Sequence, residues 1–200
     1  MKYSTGGLLS NQVVIVCGGW DSINNIILDT CYGIGETGNV SVTTNMLQKR
    51  YDMASVVLDG KLWITGGRGY DYARLDSTEW ISLDEYGTLN ATFGIDLPFP
   101  VCSHSMVVIN STCAMLIGGA DGSGYVGTTY FVNPHSSVWT KGPNVYPKYS
   151  HASAVLFDSE TNTKYVIVAG GVVPSNFGNV GQVEVLDLNS PEEWKLVESN

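Results

Sequence analysis

Four stretches decide the fold: VVIVCGG (13–19), KLWITGG (61–67), CAMLIGG (113–119) and KYVIVAGG (164–171). Each is a short apolar run closed by two glycines. The pairs begin at Gly18, Gly66, Gly118 and Gly170, spaced by 48, 52 and 52 residues. Self-similarity at such a period marks a repeat architecture, in which each repeat is one supersecondary unit. Before each pair lies another alternating run, at 3–9, 51–58, 102–109 and 149–156. Leu58-Asp59-Gly60-Lys61 joins two such runs, and Asp-Gly between apolar segments is a hairpin signal. A third strand is expected at 26–32, 77–83, 127–132 and 182–188, and a fourth at 40–44, 91–95, 138–141 and 193–197. Gly18, Gly19, Gly66, Gly67, Gly118, Gly119, Gly170 and Gly171 read as structural, supplying unusual φ or close backbone approach at the end of the second strand.

Composition agrees with an all-β chain. The 200 residues include 23 glycines, and only 14% are charged. A coiled coil, a long helical bundle or a disordered acidic tail would need more charge and far less glycine. The net charge of −9 argues against nucleic acid, because phosphate binding needs a basic face. No apolar run approaches the ~18 residues of a membrane helix. Leu8-Leu9 hints at a leader peptide, but Ser10-Asn11-Gln12 breaks the apolar run such a peptide needs.

Four short antiparallel strands per ~50 residues describe one propeller blade. The chain resembles the Kelch repeats. In that family a basic residue and then a His precede or open the first strand, the double glycine ends the second, an aromatic stands in the third and a Trp in the fourth. Repeat four offers Lys148, His151, Gly170-Gly171 and Trp194, with Leu186 in the third strand. Repeat three offers His104, Gly118-Gly119, Tyr130 and Trp139, with Val101 in the basic slot. Repeat two offers Arg50, Gly66-Gly67 and Trp80, with Met53 in place of His. Repeat one offers Lys2, Gly18-Gly19 and Tyr32. The resemblance implies an all-β Kelch-type propeller with four visible blades, at about 1–46, 47–98, 99–146 and 147–200. Kelch propellers usually have more blades, so a partial ring, and a fragment of a longer protein, is the expectation.

In such a blade the loops between second and third strands share one face. Here they carry Trp20, Asp21, Arg68, Tyr70, Asp71, Tyr72, Arg74, Asp121, Tyr125, Asn176 and Phe177. Aromatic and Arg side chains on loops above a rigid scaffold are what binding surfaces use, and RGYDYARLD (68–76) is the richest loop. Solvated loops with self-packed aromatics are the alternative. No metalloprotease, nucleotide-loop or nucleophile-elbow motif is present, so no catalytic residue, metal or cofactor is assigned. His104 and His151 share one repeat position. Some Kelch-like propellers are copper radical oxidases with His and Tyr ligands, but the repeat itself accounts for both histidines as structural.

Cys17 and Cys31 fall in adjacent strands, as diagonal neighbours ~7–8 Å apart on the usual sheet spacing. That is near the limit for a disulfide, and four buried thiols are the alternative. Cys102 and Cys113 are not expected to pair with each other. Sequons begin at Asn39, Asn90 and Asn110, all at turns opposite the long loops. The expectation is therefore a non-catalytic protein-interaction module, extracellular, with a protein partner and no nucleic acid. The substrate-recognition propeller of an intracellular ubiquitin-ligase adaptor and a copper radical oxidase are the alternatives.

Overall fold

The computed structural model describes residues 2–9, 12–173 and 181–197. Its strands gather into four sheets of four, each a simple antiparallel meander. The first holds β1 (Thr5–Leu8), β2 (Val14–Asp21), β3 (Ile26–Ile34) and β4 (Val40–Asn45). The second holds β5 (Ala54–Leu58), β6 (Lys61–Thr65), β7 (Thr78–Leu83) and β8 (Leu89–Phe93). The third holds β9 (Ser105–Asn110), β10 (Cys113–Ile117), β13 (Thr129–Asn133) and β14 (Val138–Lys141). A two-stranded ribbon, β11 (Ala120–Asp121) with β12 (Gly124–Tyr125), leaves its β10–β13 connection. The fourth holds β15 (Ala152–Asp158), β16 (Thr163–Ala169), β17 (Val183–Asp187) and β18 (Lys195–Val197). The helical content described is one short 3-10 turn, Tyr70–Tyr72, and no helix is long and apolar enough to cross a membrane.

The chain divides into two compact units, Met1–Cys102 and Ser103–Asn200, each with two of these sheets. In the first unit the sheets pack face to face around Ile15, Met46, Met53, Leu62, Ile64 and Ile81. Strand β6 is buried along Leu62–Thr65 because both its faces are covered, so it reads as a continuous apolar run rather than an alternation. Strand β1 approaches so closely that a Cβ on Gly7 would lie 2.5 Å from Val57 Cγ2. Thr5 and Ser55 hydroxyls meet there at 2.6 Å. In the second unit the core is Val107, Met115, Ile117, Val166, Val168 and Leu186. Trp194 packs on that core and donates from Nε1 to Pro143 O at 3.0 Å, tying the fourth sheet to the end of the third.

The double glycines bolt one sheet to the segment that leads into the next. The first glycine of each pair has φ between 56° and 68°, and the second between 96° and 108°. Gly19, Gly67 and Gly119 donate their N–H groups to the carbonyls of Arg50, Val101 and Lys148, all at 2.9 Å. A Cβ on Gly67 would stand 2.7 Å from Tyr51 O. Gly67→Ala therefore combines forbidden φ with a backbone clash, and we expect a loss of about 2–4 kcal/mol. Chemical denaturation checks this; an unchanged midpoint would mean that the backbone relaxes without cost.

One expectation from the repeat, the residue of the third strand, is corrected. The cations before β5 and β15, Arg50 and Lys148, are completely buried. Their partners stand in the third strand. Ladder register aligns Glu79 and Glu184 with Tyr32 and Tyr130, because they pair with Ile64, Val168, Val16 and Leu116 respectively. Trp80 and Leu186 are thus not the residues of the aromatic slot; carboxylates are. The physical reason is charge. A buried cation needs a buried anion, so Glu accompanies Arg50 and Lys148, whereas Tyr130 accompanies Val101. Trp80 instead stacks on Trp63, with ring centroids 5.1 Å apart.

Cys17 and Cys31 form a disulfide, and they are directly opposite rather than diagonal, with Cα atoms 4.0 Å apart. The β2–β3 ladder explains the difference. Gly19, Trp20 and Asp21 pair with Leu28, Ile27 and Ile26, and an unbroken ladder would set Cys17 opposite Thr30. Between these pairs β3 places two residues, Asp29 and Thr30, against Gly18 alone, and this bulge moves the partner on to Cys31. Cys102 and Cys113 carry thiols. Asn39 and Asn110 flank turns as expected, but Asn90 lies in β8, beside the turn held by Asp84; all three asparagines are exposed.

Candidate functional site

At the β2–β3 end of the first sheet the strands run past the bulge, so Trp20 and Asp21 belong to β2 and not to a loop. Asp21 is a turn residue. Its carboxylate accepts Asn24 Nδ2 at 2.6 Å and the Ile23 N–H at 2.9 Å, and these bonds hold it below the usual carboxylate range. Trp20 is pinned by its Nε1–H donating to Asn25 Oδ1 at 3.2 Å and by two backbone bonds with Lys2.

In the second sheet the β6–β7 loop is built over a buried anchor, Leu75, whose N–H reaches Gly67 O at 2.9 Å. Gly69 N–H donates to Ala73 O at 2.8 Å and Ala73 N–H to Tyr70 O at 3.1 Å, closing a tight turn. Inside it Asp71 and Tyr72 take φ of 51° and 61°. Left-handed backbone costs non-glycine residues about 1–2 kcal/mol each. The turn nevertheless leaves Tyr70 84% and Tyr72 65% exposed. Two large aromatic rings are thus held out on a strained support, where they bury little in the free protein.

These two features border one cavity of about 430 Å³, lined by Trp20, Tyr51, Tyr70 and Tyr72 with Asn25, Ile26, Ile27, Lys49 and Asp71. Tyr51 is buried, and its ring centroid lies 6.3 Å from that of Trp20. Burial pushes the Tyr51 phenol up, so its hydroxyl keeps its proton. Of the lining residues, the sequence singles out Trp20, Tyr70, Asp71 and Tyr72, reading Trp20 as a loop residue although it stands in β2. It does not single out Tyr51, Lys49, Asn25, Ile26 and Ile27. Tyr51 is expected at the start of a repeat strand, but it stands outside β5 and pairs as an isolated bridge with Arg68. The bridge is the signal that local sequence lacks.

Other expected residues lie elsewhere. Arg68 Nε sits 3.5 Å from Asp52 Oδ2 and does not line the cavity. Arg74 closes the loop through a backbone bridge with Arg68. Asp121 and Tyr125 are on the β11–β12 ribbon rather than an open loop. Asp121 Oδ1 accepts from Ser123 and Gly124 N–H groups, and Tyr125 packs on Tyr149 with centroids 4.7 Å apart. Short Asx-capped hairpins form there because Asp121 satisfies the turn amides. Asn176 and Phe177 lie outside the described residues.

His104 and His151 are buried in the second unit, and His151 Nε2 lies 2.8 Å from Ser105 Oγ. His151 fills the space over Gly118, as Met53 does over Gly18. Burial first, then the neighbouring positive charge, lowers their pKa values to about 3 for His104 and about 4 for His151. The folded state therefore binds fewer protons than the unfolded one. The stability these two histidines contribute is full above pH 6.5 and is lost as pH drops toward 4 and then 3. Melting His151→Met at pH 7 and pH 5 checks this: its loss on acidification should be smaller than that of the wild type. Equal losses would refute it. Among the described residues no group of three His, Cys, Asp or Glu side chains is placed to hold a metal ion.

Neither a family model nor a curated protein matches the chain.

Proposed function

We propose that this chain is a non-catalytic protein-interaction module of the Kelch-propeller type, which meets a protein partner through the cavity and the Tyr70–Tyr72 turn. The fourfold recurrence of a four-stranded meander with a double glycine supports the repeat family. One observation carries the binding reading: exposed aromatic rings on a strained turn beside a cavity of aromatic residues, supported by a buried sheet. Exposed Tyr and Trp side chains on a rigid frame lose little entropy on binding and supply large contact areas. The Cys17–Cys31 disulfide and the exposed sequon asparagines favour an extracellular setting over the intracellular adaptor reading.

Affinity capture from the native tissue with three baits tests the proposal. The wild type and Tyr86→Ala, which removes an equally exposed tyrosine at the β7–β8 turn, should retain the same partner. Tyr70→Ala/Tyr72→Ala should lose it. Equal recovery by all three baits would overturn the reading.

A further inference from the structure

We propose that the cavity takes a proline-rich segment in the polyproline II conformation, with a basic residue of the ligand beside Asp71; this rests on the interaction-module reading above.

The argument is one of matching donors and acceptors. Every polar residue lining the cavity but Asp71 can donate: Lys49 through its ammonium, Asn25 through its amide, and Tyr51, Tyr70 and Tyr72 through hydroxyls that also accept. Asn25 Oδ1 already accepts from Trp20, so the NH2 group is what that amide still offers. Among the described lining residues Asp71 is the one anion. A ligand that suits this set is rich in acceptors, poor in donors and apolar between them. A proline-rich chain has that character. Each proline lacks an N–H, its carbonyls have no internal hydrogen bond, and its rings present flat apolar faces to aromatics. An ordinary peptide would bring an N–H at every residue and a sugar a donor at every hydroxyl, whereas Lys49 offers only donors and the acceptors are Asp71 and the phenols. Ile26 and Ile27 add apolar lining that a sugar would not use. The polyproline helix is also stiff before binding, so it suits a preformed aromatic surface. The chain's net charge of −9 and Asp71 at the exposed turn favour a basic flank on that segment.

The test is titration of the whole 15N-labelled chain with four probes, followed by amide chemical shifts. Two are blocked hexaproline peptides, one with an arginine at each end and one with a glutamate at each end. The others are a Gly-Ser octapeptide and cellohexaose. Saturable shifts confined to residues 20–27, 49–51 and 68–75 are expected with the proline peptides alone. The arginine-flanked peptide should bind about threefold tighter than the glutamate-flanked one, and Asp71→Asn should remove that difference. Tyr70→Ala/Tyr72→Ala should weaken binding by about tenfold or more, while Tyr86→Ala leaves it unchanged. Both tyrosines of the double variant are exposed, so it should fold as the wild type does, and a melting curve checks this. No saturable shift at millimolar proline peptide, equal binding of the Gly-Ser peptide, or preference for cellohexaose overturns the proposal. If partner capture still depends on Tyr70 and Tyr72 in that event, only the ligand class falls. If capture is also indifferent to them, the face itself is wrong.

Discussion

Replacing Glu79 by Ala should unfold the first unit under conditions where the native chain is folded. Arg50 and Glu79 are both completely buried, with Arg50 Nη2 2.6 Å from Glu79 Oε1. The carboxylate also accepts the Leu47 and Gln48 N–H groups, at 2.6 and 3.0 Å. Arg50 Nη1 donates to the carbonyls of Gly66 and Ser77, each at 2.9 Å. Burial pulls the guanidinium below its usual pKa, and Glu79 opposes that pull. Removing the carboxylate strands a cation in the core and orphans two amides together. Breaking a buried pair in this way costs about 3–5 kcal/mol, a large share of a small unit's stability. Arg50→Met/Glu79→Leu, which removes both charges, should recover part of that loss. Denaturation of the two variants side by side decides the matter: a single variant no worse than the double one would mean that water reaches the site.

Loss of the Cys17–Cys31 bridge should be nearly as damaging. The bridge closes a short loop, with the cysteines 14 positions apart, and both are fully buried. Chain-entropy reasoning assigns a loop of that size ~3 kcal/mol. For a unit of roughly 100 residues that is on the order of 10–20 °C in melting temperature. Cys17→Ala/Cys31→Ala, or melting with and without a reductant, measures it. The effect should fall on the first unit, since the second has no cysteine of this bridge. A melting temperature indifferent to reductant would show that sheet pairing alone holds β2 to β3.

The period of the double glycine was legible because it is a backbone requirement. Positive φ at Gly66 and at Gly67 excludes other residues locally, so the pattern survives in one dimension. The meanders were legible because consecutive strands pair with each other and their turns carry Asp-Gly and Asx signals. The buried ion pairs were not, since Glu79 lies 29 residues from Arg50 and Glu184 36 from Lys148. Charged residues in a sequence read as surface until something places an opposite charge beside them. Trp20 and Asp21 read as loop because the glycine pair looks like a strand end. The ladder continues beyond it after a bulge in which Asp29 and Thr30 oppose Gly18.

By itself, then, the sequence determined that the chain is all-β, where each four-stranded unit begins, and which glycines punctuate it. These follow from local φ demands and nearest-neighbour pairing, which act over a few residues. Only the tertiary structure decided that Cys31 faces Cys17, that Arg50 and Lys148 are internal, and that Tyr51 joins Trp20, Tyr70 and Tyr72 around one cavity. Those depend on a one-residue register shift and on contacts between segments far apart in the chain. Neither a period nor a propensity encodes them; close packing does.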